Sequence, residues 1–211
     1  MNILIIAAHP DDEVLGMGAT IKKLSKNNVI HLCVITDGAT AQYSNKKMID
    51  VRKKDCIKSG KILGISKYYF LGYPDMKLDS IPILNINRDL EKIIKKIEPQ
   101  IVYTISNCDD NRDHQIVYES SLIITRPHSS SVKQLLAYEI PGLKRNFTPT
   151  IYENIEKEIS FKVKAFKCYK TEIEKFPHSR SIKAIENLSI QRGVESNLKN
   201  AESFELIRSI N

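Results

Sequence analysis

Met1-Asn2-Ile3-Leu4-Ile5-Ile6-Ala7-Ala8-His9-Pro10-Asp11-Asp12-Glu13 opens the chain, and the change of character at position 9 decides how the rest is read. Residues 2–8 are a continuous aliphatic run of the kind that forms a strand buried on both faces. No basic stretch precedes the run and a charged block ends it at once, so it predicts a first strand, not a secretory leader. Working outward, residues 15–26 place Leu15, Ala19, Ile21 and Leu24 at helical spacing, and 29–36 (Val-Ile-His-Leu-Cys-Val-Ile-Thr) read as a second strand ended by Asp37-Gly38. A helix over 47–63 is stopped by Gly64, and a short strand over 68–71 precedes Gly72-Tyr73-Pro74-Asp75. A helix over 84–97, a strand over 101–105, a helix over 113–125 and a strand over 134–139 continue the alternation.

Strands alternating with helices predict an α/β fold, a Rossmann-like, three-layer, doubly wound and mostly parallel sheet. Right-handed crossovers make 3-2-1-4-5 the simplest strand order. Beyond Pro141 the alternation fades. Residues 161–169 and 181–192 look helical, with a loop over 175–180 between them. The expectation is one domain over residues 1–211, made of a core over 1–140 and an extension over 141–211 packed on the same sheet.

Composition narrows the function classes. The chain has 211 residues, 42% of them apolar and 27% charged, which excludes wholesale disorder. No uninterrupted apolar run approaches the roughly 18 residues that a membrane helix needs, so a soluble cytoplasmic protein is expected. The formal charge of +7 raises the question of nucleic acid. The lysines are scattered, however, Trp is absent and aromatics are only 7%, whereas nucleic-acid binders concentrate charge in a stripe interleaved with stacking aromatics. A solvated Lys-rich surface fits better, and assembly of identical copies is compatible with it. Cys33, Cys56, Cys108 and Cys168 form no CxxC pair; Cys33 and Cys56, in apolar strand-like and helical runs, read as small buried hydrophobes, and Cys108 as a neighbour of the residues after the fourth strand that could line a site.

In a doubly wound sheet, ligands bind beyond the carboxyl ends of the strands where the order reverses, here between strands 1 and 4. Strand 1 is followed by His9-Pro10-Asp11-Asp12-Glu13 and strand 4 by Asn107-Cys108-Asp109-Asp110-Asn111-Arg112-Asp113-His114. Two carboxylate-rich loops, each bearing a histidine, thus face one crevice. His9, Asp12 and His114 would give a two-nitrogen, one-oxygen set for Zn²⁺ with a position left for water. Fe²⁺ is accepted by the same donors. Adjacent Asp11 and Asp12 can point apart, one to the metal and one to the water, as a base must. The plainer alternative is that these carboxylates, and Asp113 beside His114, cap the helices that follow.

The same residues carry a resemblance. Ala8-His9-Pro10-Asp11-Asp12-Glu13 with Gly16, Gly18, Thr20 and Ile21 resembles the opening of the LmbE-like (PIG-L-type) zinc de-N-acetylases. The likeness continues through Thr36-Asp37-Gly38, Arg52, Leu71-Gly72-Tyr73-Pro74-Asp75, Asn111-Arg112-Asp113-His114, Tyr138-Glu139, Arg192-Gly193 and Ala201-Glu202-Ser203-Phe204. It implies a Rossmann-like fold, His9, Asp12 and His114 as zinc ligands, Asp11 as general base and Asp113 as a supporting carboxylate behind them. Arg52 and Asp75 match positions that contact the sugar or its anionic substituent. Asn111 stands where many members have a histidine, and so becomes a candidate substrate contact. Phe176-Pro177-His178-Ser179-Arg180-Ser181 is similar to a Pro-His-Pro-Arg-Ser stretch of one subgroup, so His178 would polarise the amide carbonyl in place of that missing histidine, unless it is an ordinary loop residue. The activity implied is hydrolysis of the N-acetyl group from an N-acetylglucosamine-type sugar or glycoconjugate. The rival is a non-catalytic sugar- or nucleotide-binding module on the same fold, although no GxGxxG follows strand 1.

Overall fold

In a computed structural model, which describes residues 1–108, 110–142 and 146–211, seven strands form one sheet. In chain order the elements are β1 (Asn2–Ala7), α1 (Asp12–Leu24), β2 (Val29–Thr36), α2 (Lys47–Leu63), β3 (Lys67–Tyr73), α3 (Ile83–Ile97), β4 (Ile101–Ile105), α4 (Arg112–Ile124), β5 (Gln134–Tyr138), β6 (Ile151–Asn154), α5 (Ile159–Phe166), α6 (Ile182–Glu195) and β7 (Ala201–Ser209). The strand order is β3-β2-β1-β4-β5-β7-β6. The first five are parallel and in the expected order; β7 and β6 are antiparallel additions at one edge.

Burial explains why the parallel core was readable. Ile3, Leu4, Ile5 and Ile6 of β1 and Leu32, Cys33, Val34 and Ile35 of β2 are fully buried, as strands covered on both faces must be. Helices α1, α2 and α5 pack on one another, and α3 packs on α4. Right-handed crossovers put α1 and α2 on one face of the sheet and α4, which runs the winding the other way, on the opposite face.

The polar additions were not expected as strands. β7 reads Ala-Glu-Ser-Phe-Glu-Leu-Ile-Arg-Ser, and its buried Glu202 and Ser203 hide the alternation that marks a strand. β6 is only four residues long and exists by pairing with β7. Helix boundaries also move. α1 starts at Asp12, three residues before the apolar periodicity, because the carbonyl of Asp11 already accepts from Val14 and Leu15. α5 ends at Phe166, and α6 runs on to Glu195 behind a Ser181 cap.

Two close approaches set the site. Gly16 lies where a Cβ would meet the Tyr138 ring at 2.2 Å, so α1 sits hard against the end of β5. Gly38, at φ +60°, leaves room for the Pro10 ring at what would be 2.3 Å from its Cβ, which presses the loop after β2 onto the loop after β1.

Candidate active site

The carboxyl ends of β1, β2, β3 and β4 meet here, and backbone bonds tie their loops together. Thr36 donates both its N–H (2.9 Å) and its hydroxyl (2.8 Å) to the carbonyl of Ala8, fixing the residue before His9. Asp37 accepts from the N–H groups of Ala39 and Thr40, each at 2.9 Å, and the Thr40 hydroxyl accepts from Asp75 N–H at 3.0 Å. Asn111 caps α4, its Oδ1 accepting from the N–H of Asp113 (2.9 Å) and of His114 (3.4 Å).

The structure brings His9, Asp12 and His114 together. His9 Nδ1 is 3.2 Å from His114 Nε2 and 3.4 Å from Asp12 Oδ2, and His114 Nε2 is 3.6 Å from Asp12 Oδ1. A tetrahedral ion with bonds near 2.1 Å has donor–donor edges of roughly 3.4 Å, so this donor set fits a divalent metal. His9 Nε2 faces away from it, toward Asp113 Oδ2 at 3.1 Å and Asp75 Oδ1 at 3.2 Å. An N–H donated there leaves the lone pair on Nδ1, the tautomer a metal ligand requires. Asp113 is itself pinned by Met76 N–H (2.8 Å) and Leu78 N–H (3.1 Å). Met76 reaches it from a left-handed backbone, φ +55°.

All of these groups are buried, and their charges are mutually supporting. Burial alone would lower the His9 pKa, but Asp12, Asp113 and Asp75 outweigh it and hold the imidazole well above its usual range. Burial would raise Asp12, yet His114 and His9 pull it well below. Asp113 is likewise lowered, by His9 and the two backbone donors, against burial. Glu13 goes the other way: burial lifts it to about 7, opposed by the Tyr169 hydroxyl that donates to it at 2.7 Å and reinforced by Asp11.

Asp11 is fully buried and adopts φ +129°. Its Oδ2 is 3.3 Å from Arg52 Nη2 and 3.7 Å from Arg180 Nη2, whereas Oδ1 has no hydrogen-bond partner among the described residues. Arg52 reaches the cleft from behind Asp11, donating to the carbonyls of Pro10 (2.6 Å) and Gly38 (3.1 Å), and is 2% exposed. Asp75 and Asn111 line the same cleft, with Met76 on its rim.

His178 is not brought to this cleft. Its side chain is exposed, and its Nδ1 accepts from the N–H of Arg180 at 3.1 Å. The turn that carries it, closed by His178 N–H to Lys175 and Ser181 N–H to His178, sends Arg180 into the cleft instead. Sequence reasoning missed Arg180, Glu172, Glu13 and Tyr169. Arg180 carried a signal, since it lies in the stretch already singled out around His178, and so did Glu13, which ends the stretch after β1 but read there only as a helix cap; Glu172 and Tyr169 carried none.

Residues 4–124 match the family described as PIG-L, GlcNAc-PI de-N-acetylase. Over 176 residues the chain is 30% identical to the uncharacterized deacetylase YaiS of Escherichia coli K12, covering 81% of this chain and 91% of that one. Among solved structures it is similar to N,N'-diacetylchitobiose deacetylase from Pyrococcus horikoshii, with TM-score 0.80 and 23% identity over 98% of this chain and 84% of that one. It is also similar to GalB, the 4-carboxy-2-hydroxymuconate hydratase of Pseudomonas putida KT2440, with TM-score 0.76 and 18% identity over 100% and 97%. Both structural likenesses speak to the fold. Two reactions on one fold mean that the chemistry must be argued from the side chains.

Proposed function

The chain belongs to the PIG-L family of de-N-acetylases, and on that premise we propose that it is a metal-dependent hydrolase that removes the N-acetyl group from an N-acetylglucosamine-type sugar or its conjugate. The observation that carries the reading is Asp11 Oδ1: a carboxylate oxygen, buried and without a hydrogen-bond partner among the described residues, beside a three-donor set of metal-binding spacing. A buried acceptor left without a donor is costly, of the order of 1–3 kcal/mol or more for a charged group, and an attacking water would supply that donor.

His9, Asp12 and His114 would hold the ion, Zn²⁺ or Fe²⁺. When bound, such an ion polarises a carbonyl and lowers the pKa of a coordinated water to about 7. The chain's own residues do the rest. Asp11 takes the water's proton at Oδ1 and returns it to the nitrogen of the departing amine. Asp113, held by two backbone N–H groups, keeps the His9 ring oriented. Asp75 and Asn111, on the cleft wall, are placed to meet sugar hydroxyls, and Arg52 holds Asp11 from behind.

Exchange of single side chains separates these roles. Asp11→Asn should retain about one divalent metal per chain and lose roughly 10²–10⁴-fold in turnover, because an amide cannot accept the proton. Asp12→Asn, His9→Ala and His114→Ala should lose the metal itself. An Asp11→Asn protein that is empty of metal while Asp12→Asn stays loaded would reverse the assignment.

A further inference from the structure

Glu172 and Arg180 lie in the segment between α5 and α6, far along the chain from both loops that supply the metal-type donors, yet both end beside Asp11. Glu172 is buried and shares its carboxylate between two guanidiniums: Oε1 is 3.0 Å from Arg52 Nη1 and Oε2 is 3.2 Å from Arg180 Nη1. The Tyr43 hydroxyl donates to it as well, at 3.3 Å. The other ends of the two guanidiniums, Arg52 Nη2 and Arg180 Nη2, converge on Asp11 Oδ2. Positive and negative groups therefore alternate in a closed ring, Asp11–Arg52–Glu172–Arg180.

We propose that Glu172 and Arg180 are positioning residues for the hydrolytic reaction: they fix Asp11 by its Oδ2 so that Oδ1 alone faces the attacking water. The proposal rests on Asp11 being the base. The terminal torsion of an aspartate is broad and roughly two-fold, so the carboxylate needs an anchor if one oxygen is to do the chemistry. Arg52 supplies one contact from the buried side; Arg180, 28% exposed, supplies the second from the cleft side. Two guanidiniums on one oxygen repel each other, and Glu172 is the counter-charge that keeps both in place. The extension beyond residue 141 thus completes the site that the parallel core begins.

The test uses full-length, metal-loaded protein with N-acetylglucosamine as probe, following release of free amine. Glu172→Gln and Arg180→Gln should each lower kcat about 10–100-fold, with KM changed less than about twofold and metal content intact, as for residues that act through another group. Arg180→Lys should recover only part, since an ammonium lacks the planar fork. In an Asp11→Asn background, the same substitutions should cause no further loss. Equal losses in both backgrounds, or an effect confined to KM, would overturn the proposal. If Glu172→Gln fails to fold, the more exposed Arg180→Gln decides alone. Retention of full turnover by Asp11→Asn itself would instead remove the reading on which the proposal stands.

Discussion

At Asp11 the backbone takes φ +129° and ψ −22°, a region that a side chain bearing a Cβ rarely occupies and that costs of order 1–3 kcal/mol. The surroundings hold it there: Arg52 binds the carbonyls on either side of the turn, at Pro10 and Gly38, and the Glu13 carboxylate accepts from Asp11 N–H at 3.1 Å. Strain of this kind sits where an oriented side chain is needed. A second single-residue effect is remote from the site. His31, in the middle of β2, stacks on Tyr69 with both ring nitrogens buried and unpaired among the described residues. Burial, aided by Lys67, lowers its pKa. The folded chain therefore binds fewer protons here than the unfolded chain, whose histidine titrates near about 6.5. This contribution to stability is whole above that value and is lost as pH falls toward the depressed folded value. Thermal unfolding at pH 7.5 and pH 5.5 checks it: the native chain should lose more Tm on acidification than His31→Phe. Equal losses would contradict it, since they would mean that His31 takes up as many protons in the folded chain as in the unfolded one.

Helix α1 shows how an element is broken to serve a site. Met17 leaves helical geometry, at φ −137°, one turn after the Asp11-Asp12 corner. The N–H groups of Ala19 and Thr20 turn to the Glu202 carboxylate, at 3.1 and 2.6 Å. On the other side of the break, Lys162 Nζ reaches the carbonyl of Gly16 at 3.4 Å and pairs with Glu202 at 2.7 Å. One buried ion pair from α5 and β7 thus satisfies the groups that the break exposes. Glu202→Gln should destabilise the fold by about 3–5 kcal/mol by stranding a buried ammonium, and adding Lys162→Met should restore a good part of it. Denaturant unfolding of the single and double variants measures this, and a loss below about 1 kcal/mol for Glu202→Gln would contradict it. The same pair explains what the sequence made legible. Aliphatic runs over β1, β2 and β4 announce themselves and fix the parallel order. β7 does not, because the polar residues that plug α1 occupy the inward positions where an apolar pattern would have shown.

Over the whole molecule, the +7 charge and the buried acidic crevice are separate features. Apart from the buried Lys162, the described lysines lie on the surface, several in pairs with neighbouring carboxylates such as Lys26 with Glu158 and Lys199 with Glu156, while the site gathers Asp11, Asp12, Asp75 and Asp113. Among the described residues no helix is long and apolar enough to cross a membrane. The metal-type donors were legible because each follows directly on a readable strand or opens a readable helix. The ring was legible only in part: the stretch around His178 was expected at the crevice, but that Arg180 rather than His178 enters it, and that Glu172 joins it there, only the folded chain shows. The most direct test of the account is metal removal and return, with acetate release measured from N-acetylglucosamine and its β-linked dimer. Activity should vanish when a chelator strips the protein and return with about one equivalent of Zn²⁺ or Fe²⁺ per chain. Undiminished acetate release by the fully stripped protein would contradict it.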